Sequence, residues 1–276
     1  MPRNKRAQIA RGLLMGIVGL VFVFPIFWMI STSVRTTDAV FAVPPKLLAW
    51  PITFEPYEKA LEWISFWRYF WNTLYIAILG SIGISLSSSL VAYGFARLKW
   101  PGRDFLFGVT LATMMLPGAV YMIPLYLVWH RLGALGTFIP LWMPYWFGNA
   151  FSIFLITQMY RGIPFELSDA AKIDGCSEFQ IWYRIMMPLA RSAIVLAFLF
   201  HFTAVWKEFY APFIYLSDKK MFTLTLALYN LQGGTVKADW NVMMAAATMI
   251  ALPMLFMVPL TQKAFTSDIA ATGIKG

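Results

Sequence analysis

PFELSDAAKIDGCSEFQIWYRIMMP, residues 164–188, is a charged interruption in an otherwise apolar chain. It reads as two short helices joined at a glycine. Pro164 suits a first helical turn, where its missing N–H has no partner to lose. Glu166 and Asp169 follow, and acidic groups are favoured at a helix N-terminus. Gly175 can adopt the left-handed conformation that closes a helix. Ser177 with Gln180 makes a capping-box pattern for the second helix. That helix is expected to align Phe179, Tyr183 and Met186 on one face, and Pro188 to block its extension. Two readings fit: an amphipathic loop lying on lipid headgroups, or a compact hairpin that docks on something outside the membrane.

The composition places this hairpin in a bilayer protein. Of 276 residues, 59% are hydrophobic and 13% charged, about half the charge a soluble domain carries. Aromatic residues, at 17%, suit membrane interfaces and packing between spans. The net charge of +9 is read as Lys and Arg in cytoplasmic loops, not as a nucleic-acid footprint. The single cysteine, Cys176, excludes an internal disulfide, and with two histidines it leaves little for a metal cluster.

The expected fold class is an all-α integral membrane protein with six transmembrane helices. A cytoplasmic basic tail (1–12) precedes a retained first span (13–33). An external segment (34–69) is too short for its own core. A five-helix region (70–262) follows, with the polar loop at 161–190, and then a cytoplasmic tail (263–276). Spans are expected over about 70–96, 105–129, 138–160, 192–216 and 242–260. The second carries GSIGISLSSS, whose small residues let helices approach closely. The third carries Pro117 and Pro124, which free backbone carbonyls that need partners inside protein or a wet cavity, and Pro253 and Pro259 are expected to break the sixth. The outer segment after the fifth span is partly apolar and reads as a re-entrant loop. This topology puts thirteen Lys and Arg inside and eight outside, the sense the positive-inside rule requires. It places both termini in the cytoplasm.

No GxxxxGK[ST] phosphate loop, Ser-His-Asp set or H-E-x-x-H occurs, so the chain has no ATPase site of its own. His130 and His201 are far apart and read as structural. An enzyme would show a polar cluster at one membrane depth, and none is visible. Trp206-Lys207-Glu208-Phe209 stands out within the fifth span, because ionisable residues in a bilayer tend to face a bundle interior or a watery path. The alternative is a local Lys207–Glu208 pair, or snorkelling. Tyr145, Asn149, Trp206 and Tyr210 are of the kind that stack on and hydrogen-bond to sugars. With Lys207 and Glu208 they form the candidate substrate path.

Asp169-Ala170-Ala171, Asp174-Gly175, Ile185 and Met187-Pro188 together resemble the EAA loop of ABC-importer permeases. Asp169 stands where that family has Glu, one methylene longer. VAYGFARLKWPGRD (91–104), MMLPGAVYMIPLYLVWHRLGALGT, AVWKEFYAPFIYLSDKKMFTLTLAL and the final AATGIKG resemble the carbohydrate-uptake branch, which includes the smaller permease of the maltose transporter. Lys207 replaces that branch's usual Asn. The resemblance implies a type I importer fold in which residues 161–190 form a coupling-helix loop. It implies Glu166, Asp169, Ala170, Ala171, Asp174, Gly175 and Phe179 as the ATPase-coupling residues. It further implies a second, different permease, two ATPase subunits that bind the ATP and Mg, and an external solute-binding protein. The substrate class it implies is a sugar or oligosaccharide, with glycerol phosphate or another phosphorylated polyol as the alternative.

Overall fold

The computed structural model describes residues 5–44, 46–48, 50–233 and 239–272. Pro45, the predicted inner cations Arg3 and Lys275, the predicted outer Lys237 and the last four residues of AATGIKG lie outside the described residues. All regular structure among the described residues is helical. In chain order the principal helices are α1 (Lys5–Ser33), α2 (Phe66–Ala96), α3 (Arg103–Ala112), α4 (Gly118–Arg131), α5 (Ala150–Gly162), α6 (Glu166–Ile173), α7 (Glu178–Leu189), α8 (Arg191–Trp206), α9 (Tyr210–Tyr215), α10 (Leu224–Gly233) and α11 (Trp240–Thr272). Four helical segments are long and apolar enough to cross a membrane, or six if each of two bent pairs is one span.

The chain divides into two compact units. One comprises Met1–Trp67 with Ala227–Pro253. Over residues 12–27 its α1 is apolar all round and exposed, the surface of a helix made to be covered by lipid or protein. Past α1, the Arg35 guanidinium is buried; it donates to Ser31 Oγ at 2.9 Å and the Leu47 carbonyl at 3.0 Å, and lies 4.7 Å from the Trp28 ring centre. Asn241 at the start of α11 donates to the Arg35 carbonyl at 2.8 Å. Short helices Thr37–Val40 and Glu55–Trp63 occupy the segment between α1 and α2.

The other unit comprises Arg68–Leu226 with Met254–Gly276. The long helix α2 runs through its middle. Ser81, Ser85, Ser88 and Ser89 are all buried, as the small-residue run predicts. A Cβ on Gly80 would lie 2.7 Å from His201 Nε2 and 3.5 Å from the Tyr145 ring. One on Gly83 would lie 2.3 Å from Trp146. These two glycines let the residues before α5, and those of α8, press against the α2 backbone.

Prolines act differently from the sequence expectation. The third span is not one helix: α3 and α4 meet at 98°. Pro117 lacks an N–H and drives Leu116 into an extended conformation (φ −79°, ψ 118°), whereas Pro124 sits inside α4 without ending it. The sixth span is unbroken: α11 runs for 33 residues through Pro253 and Pro259. Each removes one ladder hydrogen bond, a loss that membrane helices tolerate. The fifth span is shorter than expected. α8 stops at Trp206, and a break at residues 207–209 precedes α9. Past α9, Asn72 donates to the Lys220 and Phe222 carbonyls, both at 3.0 Å, and Thr73 Oγ1 accepts from Leu224 N–H at 2.9 Å. These bonds fasten the apolar segment that follows α9 to the start of α2.

Gly80→Val is expected to cost about 1–3 kcal/mol, because a buried imidazole has to move. Gly94→Ala, with no atom within 4 Å of the new Cβ, is expected to be neutral or to gain up to about 1 kcal/mol. Melting temperatures of the two variants in detergent check the contrast.

Candidate functional site

The 161–190 loop forms a hairpin whose turns are set by local chemistry. α6 ends in a double hydrogen-bonded cap: Cys176 N–H reaches the Ala171 carbonyl at 2.9 Å, and Gly175 N–H reaches that of Lys172 at 3.0 Å. This geometry needs a left-handed residue before Cys176, and Gly175 supplies φ +81°. Ser177 and Gln180 form the predicted capping box, with bonds of 2.8 and 3.3 Å. Pro164 falls just ahead of the cap residue Phe165, outside the helix it was expected to begin.

Helical spacing then sorts the side chains. Ser168 and Ala171, three apart on α6, are buried against the protein; Glu166, Asp169, Ala170 and Ile173 face outward. Ala171 therefore leaves the expected docking set and belongs to the core with Tyr93, Tyr160, Ile181, Trp182 and Met186. Asp174, Gly175 and Phe179 are exposed as expected. The expected alignment of Phe179, Tyr183 and Met186 does not occur. Residues 182–186 form a π-helical turn, whose wider turn rotates Met186 inward to full burial while Phe179 and Tyr183 stay out. The outer surface thus carries Phe165, Ile173, Phe179 and Tyr183 among Glu166, Asp169, Asp174 and Glu178.

The hairpin is tied to one face of α2. Ser89 shares hydrogen bonds with Tyr160 Oη at 2.8 Å and Trp182 Nε1 at 2.9 Å. Tyr93 donates from its hydroxyl to Glu178 at 2.5 Å. Arg97, buried just past the end of α2, donates to the carbonyls of Tyr160 at 2.6 Å, Ile163 at 2.5 Å and Pro164 at 3.5 Å. Its guanidinium lies 4.4 Å from the centre of the Phe165 ring. Glu178 also pairs with Lys172 at 2.8 Å, joining α7 to α6. Lys172 and then Tyr93 hold the Glu178 carboxyl below its ordinary pKa, and Glu178 raises that of Lys172. Both therefore stay charged at neutral pH. The sequence places Arg97 among the cytoplasmic charges and within the family-like stretch 91–104, and gives Ser89, Tyr93 and Trp182 no individual role. The signal was the four-residue spacing of 89, 93 and 97, which lines one helix face.

The candidate path residues do not form one cluster. Tyr145 and Glu208 line a common cavity of about 30 Å³ with Thr73, Pro140 and Thr223, room for a water. Glu208 also accepts from Tyr210 N–H at 2.8 Å and Ala211 N–H at 3.3 Å, capping α9. Asn149 is a cap as well: its side-chain oxygen accepts from Phe151 and Ser152 N–H at the start of α5. Trp206 is buried between Phe70 and Phe202, with ring centres 5.7 and 5.6 Å away, so its face is not open to a sugar. Lys207 and Tyr210 are exposed. Lys207 takes part in none of the three ion pairs among the described residues, so the local pair with Glu208 is absent. The described residues hold no cluster of metal-ligating side chains.

Comparison with known proteins agrees with this architecture. The lactose transport system permease protein LacG of Rhizobium radiobacter is 29% identical, over 97% of this chain and 96% of that protein. The sn-glycerol-3-phosphate transport system permease protein UgpE of Brucella abortus is 28% identical, over 95% of each. The fold is similar to a chain in the crystal structure of a bacterial ABC transporter involved in the import of the acidic polysaccharide alginate. That match has a TM-score of 0.83 at 23% identity, over 95% of this chain and 99% of that one. Residues 85–270, two-thirds of the chain, match the family described as binding-protein-dependent transport system inner membrane component, and the chain belongs to that family.

Proposed function

We propose that this chain is one of two different permeases in an ATP-driven importer of a sugar or oligosaccharide, and that it forms half of the path by alternating access. An external solute-binding protein delivers the solute. Two ATPase subunits on the cytoplasmic side bind and hydrolyse ATP with Mg; this chain has no ATPase site and holds no cofactor. The membrane is the plasma membrane of a bacterium or archaeon, with both termini inside. The observation that carries the reading is the hairpin: a helix–glycine–helix unit, fixed on its inner face and presenting apolar tips ringed by carboxylates on its outer face. In this reading Glu166, Asp169, Ala170, Asp174 and Phe179 contact the ATPase, and Gly175 sets the angle between the helices. Nucleotide drives the conformational change only through contacts that differ between the two states. Support for the sugar comes from relatives named for lactose and structures named for alginate.

Asp169→Arg reverses an exposed charge and is expected to leave membrane insertion unchanged while the ATPase subunits no longer co-purify. Gly175→Pro removes both the left-handed conformation and an N–H donor, and is expected to abolish ATP-coupled uptake. Retention of ATPase and uptake in both variants would refute the docking role.

One observation favours a phosphorylated polyol instead: Lys207 is exposed at the end of α8, and a phosphate needs cationic or N–H partners. Under that reading Lys207→Asn weakens uptake of glycerol phosphate and spares that of a neutral disaccharide, measured with both labelled solutes. An unchanged ratio leaves the sugar.

A further inference from the structure

We propose that Arg97 and Tyr93 are positioning residues that make the hairpin and α2 a single lever, carrying ATPase motion to the cavity lined by Tyr145 and Glu208. The proposal rests on the hairpin being the ATPase contact and adds how its displacement travels. The attachment has two ends. Where the chain enters the hairpin, Arg97 donates to the Tyr160 carbonyl in the last turn of α5 and to the Ile163 and Pro164 carbonyls just beyond it, while covering the Phe165 ring. At the second helix, Tyr93 holds Glu178, and Glu178 holds Lys172 on α6. Both helices of the hairpin therefore refer to one face of α2.

The far part of α2 meets the candidate path. Gly80 is packed on His201 and Tyr145, whose ring centres are 4.0 Å apart. Thr73 lines the cavity with Tyr145 and Glu208. Residues 73–96 of the continuous helix α2 cover about 35 Å, enough to pass from one membrane face to the other. Packing alone would not call for a buried guanidinium, whose desolvation is costly. A planar group with five fixed donors is suited to holding several carbonyls in one arrangement.

The test uses the whole transporter in vesicles, with ATP plus vanadate as the probe, so that no solute need be known. A maleimide that cannot cross the membrane labels an Ala211→Cys chain at the cavity wall. The unmodified chain, with Cys176 alone, gives the background. With Arg97 and Tyr93 in place, nucleotide is expected to change the labelling rate. Arg97→Met is expected to keep the ATPase subunits bound and lose that change, and Arg97→Lys not to restore it. Tyr93→Phe deletes one charge-assisted hydrogen bond, worth roughly tenfold in the attached population, and is expected to give an intermediate response. A full nucleotide response in Arg97→Met overturns the proposal. So does loss of ATPase co-purification in both Arg97→Met and Tyr93→Phe, because the residues would then serve docking and not transmission. Failure of the docking reading itself shows separately, as ATPase retention and a full response in Asp169→Arg with Arg97 intact.

Discussion

A helix that stops leaves its last carbonyls without partners of its own helix, and in this chain α5 stops where the hairpin begins. Arg97, just past the end of α2, reinforces that end: it donates to the Tyr160 carbonyl, which also accepts from Ile163 N–H, and to the Ile163 carbonyl beyond the helix, through bonds that bridge more than sixty residues of sequence. Its burial carries a desolvation penalty that is offset when every contact around the group is favourable. The carbonyls and the Phe165 ring offset part of it, the aromatic face adding to the attraction for a cation, while the buried Nε has no hydrogen-bond partner. The direction in which α6 leaves the end of α5 follows from this arrangement. The outward display of Asp169 and Ile173 follows in turn.

The parts of the hairpin that were legible in sequence are those fixed by near neighbours. Capping boxes, glycine caps and helix-end charges act over three to six residues, and Ser177, Gln180 and Gly175 behave as their types require. The serine-rich face of α2 was legible because small residues in a span point to close packing. The illegible parts depend on distant groups. Ala171 reads like Ala170 in sequence, and only the presence of Ile181 and Met186 behind α6 decides which one is buried. The π turn at residues 182–186 has no sequence mark of its own and moves Met186 to the opposite face from the one a regular helix predicts. Proline was an unreliable guide for the same reason. Pro117 and Pro253 have the same covalent constraint, yet one coincides with a 98° bend and the other with a continuous helix.

Chemistry assigned by residue type proved equally dependent on context. Asn149 and Glu208 are polar groups in apolar surroundings, which is why they pointed to a solute. Each instead has its side-chain oxygen committed to starting a helix. A break in a span exposes backbone N–H groups that lipid cannot satisfy, so a polar side chain at the break is required for the fold before it is available for function. Trp206 likewise looks like a stacking platform and is packed between two phenylalanines.

These assignments constrain where a solute can meet the chain. The cavity that Tyr145 and Glu208 share holds about 30 Å³, whereas pockets for small molecules run to roughly 300–1,000 Å³. A sugar therefore does not fit in that cavity in this conformation. The remaining path residues, Lys207 and Tyr210, lie on exposed surface beside the α8–α9 break. A surface of that kind can orient a solute but cannot exclude water from it. A closed path needs a second wall facing Lys207 and Tyr210, and a permease built as one of an unlike pair would have its partner to provide that wall.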